Sequence, residues 1–549
     1  MHLFTTLVVV VTSAAAAASE HYRVLIASPV ASRSQYHLCA AIAEGLGEAG
    51  HEVTFVSSFK LNHTFKYGVR HVYSGGDNSM MEEMDLFDVH ENPNAMFSLF
   101  MEVYKNIGQK MWTNDEIKQL WHERNKFHVI VTISYGNEMV SPFLLDYQGV
   151  FITLCTPGIE LRTISYQGNW LPFSSMPSFL TDFTQDMTFI ERVINPLNFI
   201  FYRIIYRFTM LPVAESTVQE FFPGMPPIET LYENCSLTLI NSHFSIDGQI
   251  PLLPTQVEIG TINIKKPEPL PQDLEEFVGG AGEAGVILFS LGSIARSTHM
   301  PRKYKDVLLE AFRRLPQRVV WKYEGNDQQL PPNVMTKSWV PQQDILRHNK
   351  TRLFISHCGN LGVQEAQYYG VPILGMPLAF DQPRNAQRMA NNGYGLALDW
   401  NKPDRRGPAG GHPHPTLYST VSRETAGGAP ERCMTRRRAP RSEPPGGWST
   451  PSENKGAPHM TYSGKRLHFL QYVMVDVMLF LVAVLAASAA ALTSLPQKSD
   501  PLLQEAAEAH LAGDQETKIV THVYLLHLLL YFHDSHSKRE REREREGNM

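Results

Sequence analysis

The chain has 549 residues, 43% of them hydrophobic and 10% aromatic, enough to bury sizeable cores, which excludes a collagen-like polymer or a wholly disordered chain. Lys and Arg number 49 against 55 Asp and Glu, a formal charge of −6, so the basic footprint of a nucleic-acid binder is missing and no nucleic-acid partner is expected. The cysteines Cys39, Cys155, Cys235, Cys358 and Cys433 lie far apart, with neither the density of a disulfide scaffold nor the C-x-x-C spacing of a zinc site.

Residues 1–19 read as a signal peptide: an apolar run from Leu3 to Val11, then small residues that a signal peptidase cuts near Ala18 or Ser19. RVLIA (Arg23–Ala27), the helical spacing of Leu38 to Leu46, a stop at Gly50 and EVTFVSS (Glu52–Ser58) make a strand–helix–strand unit. The proline- and turn-rich stretch from Asn241 to Pro271 is the best linker candidate. Beyond it, buried-type strands are predicted over Gly285–Ser293, Arg318–Tyr323, Arg352–His357, Val371–Met376 and Gly395–Trp400, most of them separated by helix-length segments. Alternation of this kind predicts an α/β fold with parallel sheets covered on both faces. A doubly wound unit at each end of residues 20–400 gives an N-terminal domain over 20–250 and a C-terminal domain over 251–401.

Three pieces of the second half converge on nucleotide chemistry. FSLGS (Phe289–Ser293) sets Gly292 and Ser293 at a parallel strand end, where backbone N–H groups and a hydroxyl approach a phosphate. SHCGNLGVQEA (Ser356–Ala366) runs from a strand through His357 into a helix start, so the imidazole and the following amides can meet a pyrophosphate and Glu365 can accept from ribose hydroxyls; a structural histidine is the alternative there. PLAFDQP (Pro377–Pro383) offers Asp381 and Gln382 after another strand end, an acceptor and an amide suited to sugar hydroxyls.

Residues 402–454 contain nine Pro and seven Gly and the basic run Arg436–Arg438, a composition for disorder. We read them as an aberrant segment, from two compensating frame errors in the gene or from a genuine insertion. Tyr472–Leu492 is long and apolar enough for one transmembrane helix, placed over 472–493, with Asp476 as its one charge. The tail 494–549 ends in an alternating-charge run and is assigned no function. Signal, span and three sequons, at Asn62, Asn234 and Asn349, predict a single-pass type I protein with its body in a lumen.

WVPQQDIL (Trp339–Leu346), the RLFISHCG block, GVPILGMPLAFDQPRNAQRM and GYGLALDW, continuous from Trp339 to Trp400, resemble the signature of the UDP-glycosyltransferases of the glucuronosyltransferase type. GHEVTFVSS and MTFIERVINP (Met187–Pro196) extend a weaker resemblance over most of residues 20–400. The resemblance implies a GT-B fold of two facing Rossmann-like domains, a UDP-sugar donor, a small lipophilic acceptor, inversion at the anomeric carbon, and the endoplasmic reticulum membrane. It implies neither a cofactor nor a metal, and it admits an oligomer with itself or with relatives. By position, Trp339 would stack on uracil, Gln342 would contact the base, Ser293 and His357 the phosphates, Glu365 the ribose, and Asp381 with Gln382 the sugar. Leu361 departs from the pattern, since relatives usually carry a polar residue there.

Members of that family deprotonate the acceptor with a His held by an Asp. Here the His position is Gln35 and the Asp position Ile133, and neither side chain can take up a proton. His37, two positions from Gln35, would face about 200° away on a helix and reads as a partly buried histidine, with a base as its second reading. The sequence therefore carries two functional expectations, a transferase and a UDP-sugar-binding pseudoenzyme partnering active relatives.

Overall fold

A computed structural model describes residues 21–400, apart from 62–63, 77–84, 92, 135, 179, 326–328 and 399, and residues 467–494. The signal peptide, Asn62, residues 402–454 and residues 495–549 of the tail lie outside the described residues. The sequons at Asn234 and Asn349 are exposed, and Cys39, Cys155, Cys235 and Cys358 are buried free thiols.

Two parallel sheets organise the body. The first holds β1 (Arg23–Ser28), β2 (Glu52–Ser57), β3 (Arg70–Tyr73), β4 (Val129–Ile133), β5 (Val150–Cys155), β6 (Leu237–Ile240) and β7 (Gln256–Glu258) in the order β3-β2-β1-β4-β5-β6-β7. The second holds β8 (Val286–Ser290), β9 (Arg318–Lys322), β10 (Val334–Lys337), β11 (Thr351–Ser356), β12 (Ile373–Gly375) and β13 (Gly395–Ala397) in the order β10-β9-β8-β11-β12-β13. Both are doubly wound, the Rossmann-like pair that the sequence predicts, and each order reverses at one point, between β1 and β4 and between β8 and β11. Ligands of such sheets bind beyond the strand ends at that switch.

Strand composition explains the burial. Along β8, Ile287 and Phe289 enter the core on one face while Val286 and Leu288 enter that on the other, as a sheet covered on both sides requires. Two predicted strands are shorter than expected: VPILGM yields three paired residues in β12, and GLALDW three in β13. Their remaining apolar residues, Met376 and Trp400 among them, pack in the core from loop backbone. β7 falls within the stretch read as a linker and pairs with β6 as the last strand of the first sheet.

Helix α1 (Arg33–Glu48) starts at Ser32, whose hydroxyl accepts from the Gln35 amide while the Gln35 side chain accepts from the Ser32 amide, a complete capping box. Helix α2 (Leu86–Glu91), between β3 and β4, leaves its own sheet. Leu86, Phe87 and Val89 are buried in the core of the second sheet, and Phe87 meets Trp400 edge-on at 5.1 Å. The sheets are also joined through Asn241, just after β6. Its side chain donates to the Thr156 carbonyl, and its carbonyl accepts from Asn360 and Gln364. Arg384 adds a bond to the Pro157 carbonyl, and Arg388 an ion pair with Asp247.

A second compact unit brings Pro172–Thr209 together with the C-terminal helices. In it, α3 (Phe189–Ile205) carries Arg192, whose guanidinium binds both carboxylate oxygens of Asp476, at 2.6 and 3.3 Å. Asp476 opens α7 (Val475–Ser494), so the one charge of the apolar run has a buried partner. The predicted transmembrane helix over 472–493 is not shown as a span: among the described residues no helix is long and apolar enough to cross a membrane.

Candidate active site

The switch point of the second sheet gathers the predicted phosphate residues. β8 ends in a turn where Gly292 has φ +79°, and β11 runs directly into His357. A Cβ on Gly292 would stand 2.5 Å from the imidazole, and a Cβ on Gly359 equally close to its Nε2, so the ring fits only because both flanking positions are glycine. Ser293 follows in the same turn. The ring's Nδ1 is buried and has no hydrogen-bond partner among the described residues. Burial, assisted by the charge of Lys322, lowers the His357 pKa to about 4, so the imidazole is neutral at physiological pH. Helix α5 (Asn360–Tyr369) then begins behind Gly359 with no side chain capping its first turn. Its leading amides remain available to an anion.

Trp339, at the end of the segment after β10, is 55% exposed. It lies between Lys322, whose ammonium is 5.8 Å from its ring, and His37, whose ring is 6.4 Å away. Lys322 is itself buried at the end of β9 and paired with Glu324. Sequence reading missed it because it sits inside a predicted strand. Its charge stands beside both Trp339 and His357.

Glu365, one turn into α5, is only 7% exposed. Its oxygens accept from Gln342 at 2.7 Å, Gln343 at 2.9 Å and Asn263 at 2.9 Å. Gln342 and Gln343 open α4 (Gln342–Arg347), so two predicted residues are joined directly, with Gln343 and Asn263 as partners that the sequence did not reveal. Burial raises the Glu365 pKa, opposed by these amides. Oε1 accepts two of these bonds, from Gln343 and Asn263, whereas Oε2 accepts one and keeps a lone pair for a further donor.

Asp381 and Gln382 start α6 (Gln382–Asn391). The Gln382 side-chain carbonyl accepts from the amides of Leu378 and Ala379, which folds the preceding loop back on itself and leaves the Gln382 NH₂ as donor. Asn385 donates to Asp381 at 2.6 Å and to the carbonyl of Cys358 at 3.1 Å, tying the Asp381 loop to the His357 loop. Leu361 does not face this polar set; it packs against the core of the first sheet.

At the switch point of the first sheet the chemistry is different. Gln35 bonds Ser32 and donates to the Thr156 hydroxyl at 3.0 Å. Ile133 ends β4 at 1% exposure in the hydrophobic core. His37, on the same helix as Gln35, stands beside Trp339. Further along, Arg162 lies between Glu160 at 3.4 Å and Glu138 at 3.6 Å, with Tyr104 donating to Glu138, a buried ionic cluster that the sequence did not reveal.

Comparison with known proteins adds a family. The model described as UDP-glucoronosyl and UDP-glucosyl transferase matches residues 49–406. UDP-glucosyltransferase 2 of Dactylopius coccus is 29% identical over 497 residues, covering 88% of this chain and 94% of its own. UDP-glycosyltransferase UGT5 of the same organism is 30% identical over 479 residues, covering 84% and 89%. UDP-glucuronosyltransferase 2B1 of Rattus norvegicus is 30% identical over 327 residues, covering 58% and 60%. Among solved structures, the spinosyn forosaminyltransferase SpnP aligns with a TM-score of 0.48 at 17% identity, over 76% of this chain and 94% of that one.

Proposed function

The chain belongs to the family of UDP-glucuronosyl and UDP-glucosyl transferases, and we propose that it binds a UDP-sugar at the switch point of its second sheet and transfers the hexosyl or glucuronosyl group, with inversion, to a small lipophilic acceptor. The observation that carries the proposal is the convergence of Trp339, His357 with its unpartnered Nδ1, the uncapped start of α5, and Glu365. An exposed indole suits uracil, whose face stacks on aromatics. Developing charge on the departing diphosphate would be met by the α5 amides, by Lys322 and by a neutral His357 acting as a hydrogen-bond partner. Glu365 and its amides offer a fixed acceptor for ribose hydroxyls, and Asp381 with the Gln382 amide suits the hexose. Isothermal titration of the folded chain with UDP tests this: binding is expected, and its absence would overturn the assignment.

A second reading is favoured by Gln35 and Ile133. With a capping amide and a core isoleucine at the positions of base and orienter, the acceptor hydroxyl has no proton acceptor there. Transfer would then be confined to nucleophiles that need none at attack, such as phenolates, amines or thiolates, or lost altogether in a UDP-sugar-binding pseudoenzyme that partners active relatives. UDP release measured with alcohol, phenol and amine acceptors separates the two. Turnover with any of them supports the transferase, and UDP binding without turnover supports the pseudoenzyme. The leader, the sequons and the apolar run support anchoring in the endoplasmic reticulum membrane with the body lumenal; these are features of the sequence.

A further inference from the structure

The Asp381–Gln382 loop is held from two sides. Within its own domain, Gln382 binds the amides of Leu378 and Ala379 through one carbonyl. From the other half of the chain, His90 on α2 brings Nδ1 to 2.9 Å from the Leu378 carbonyl. A carbonyl can only accept, so the ring nitrogen carries the proton and donates. Both main-chain polar groups of the buried Leu378 are thus bound by side chains, one from each domain. Between Leu378 and Asp381, Phe380 sits at φ +61°, a left-handed conformation that a non-glycine residue holds only when its surroundings fix it. His90 is itself fixed, because Leu86, Phe87 and Val89 on the same short helix are buried in the core of the second sheet and Phe87 packs against Trp400.

We infer that His90 is a positioning residue for donor-sugar recognition: an N–H supplied by the N-terminal half of the chain sets the loop that presents Asp381 and Gln382, so that the hexose is read by both halves. The inference rests on the donor-site reading above and deepens it. It differs from a general packing role in what it predicts, since Trp339, His357 and Glu365 sit on other segments, and the Asn385 tie between the loops runs through Asp381 and the Cys358 carbonyl rather than through Leu378.

The test is titration of the full chain with UDP and, separately, with UDP-glucose and UDP-glucuronate, comparing wild type with His90→Ala and His90→Asn. The Asn side chain places an amide N–H near the position of Nδ1. His90→Ala is expected to weaken the better-bound UDP-sugar about fivefold, the scale of one lost hydrogen bond, and to leave UDP within about twofold; His90→Asn is expected to restore most of the loss. If His90→Ala leaves the UDP-sugar unchanged, weakens UDP and UDP-sugar alike, or is not rescued by Asn, the inference falls while the donor site stands. If the wild type does not bind UDP, the donor-site reading fails and this inference with it.

Discussion

Gln35 commits both ends of its amide to structure, one to the Ser32 cap and one to Thr156, while Ile133 is sealed in the first sheet's core. Restoring the family's His and Asp is therefore a question of stability as well as rate. Ile133→Asp alone introduces a carboxylate without a partner into a site that is 1% exposed and is expected to cost about 3 kcal/mol or more in chemical denaturation. Adding Gln35→His is expected to recover part of that loss if the two side chains meet, and to raise turnover with alcohol acceptors. His357 gives a second prediction at this scale. Its pKa is lowered to about 4, and a diphosphate beside it would favour the imidazolium, so UDP binding should take up protons increasingly as pH falls below about 6. Titrations with UDP-glucose, whose diphosphate has no group titrating near pH 6, carried out near pH 5.5 in buffers of different ionisation enthalpy, are expected to give different heats, and His357→Ala is expected to abolish the difference. His357 was legible in sequence as a histidine between a strand end and a helix start, in SHCG (Ser356–Gly359). Lys322 and the Gln343–Asn263 support of Glu365 were not, because a strand position does not announce a charge partner and Glu365 meets them only after folding.

Among the elements, the end of β7 carries a titration of opposite sign. Glu258 accepts from the Ser242 hydroxyl and the Phe244 amide, close to the ion pair of Asp247 with Arg388 that joins the two sheets. Burial, opposed by Ser242 and reinforced by Asp247, raises its pKa to about 7. A raised carboxyl binds its proton more tightly in the folded state, so its contribution is complete below about pH 4.5 and is lost as pH rises through 7. Glu258→Gln is expected to flatten stability between pH 5 and 7 and to leave the variant roughly 2 kcal/mol more stable than wild type at pH 8, measured by denaturation across pH. His357 runs the other way, losing stability as pH falls from about 6.5 to 4, and the Glu258 variant isolates one slope from the other. Long apolar strands such as β8 and β11 were plain in sequence. The strand β10, VMTK, was not, since two of its four residues are polar and its position rests on pairing with β9. The strands β12 and β13 were over-extended because a buried loop residue such as Trp400 is as apolar as a strand residue.

For the molecule as a whole, the first half of the chain completes the core of the second. Leu86, Phe87 and Val89 lie among Phe289, Met376, Leu378 and Trp400. Nothing in residues 86–91 alone reveals this destination: the apolar spacing fits a helix on its own sheet equally well, and only long-range packing decides. A chain cut to begin at residue 251 is expected to expose that depression and to forfeit several kcal/mol, since each such side chain contributes about 1.5–3 kcal/mol on burial. Dye binding by the exposed surface and a lowered melting temperature would register it, and a cut chain as stable as the same region in the full chain would refute it.

Translation order gives this shared core a further consequence. The ribosome delivers residues 86–91 roughly two hundred residues before the strands that will cover them, so three greasy side chains must wait in a half-made protein for their pocket to be synthesised. Maturation of the leading domain is thereby gated by emergence of the trailing one. An error late in the message, beyond residue 285, would leave the early part unfinished and prone to stick to its neighbours.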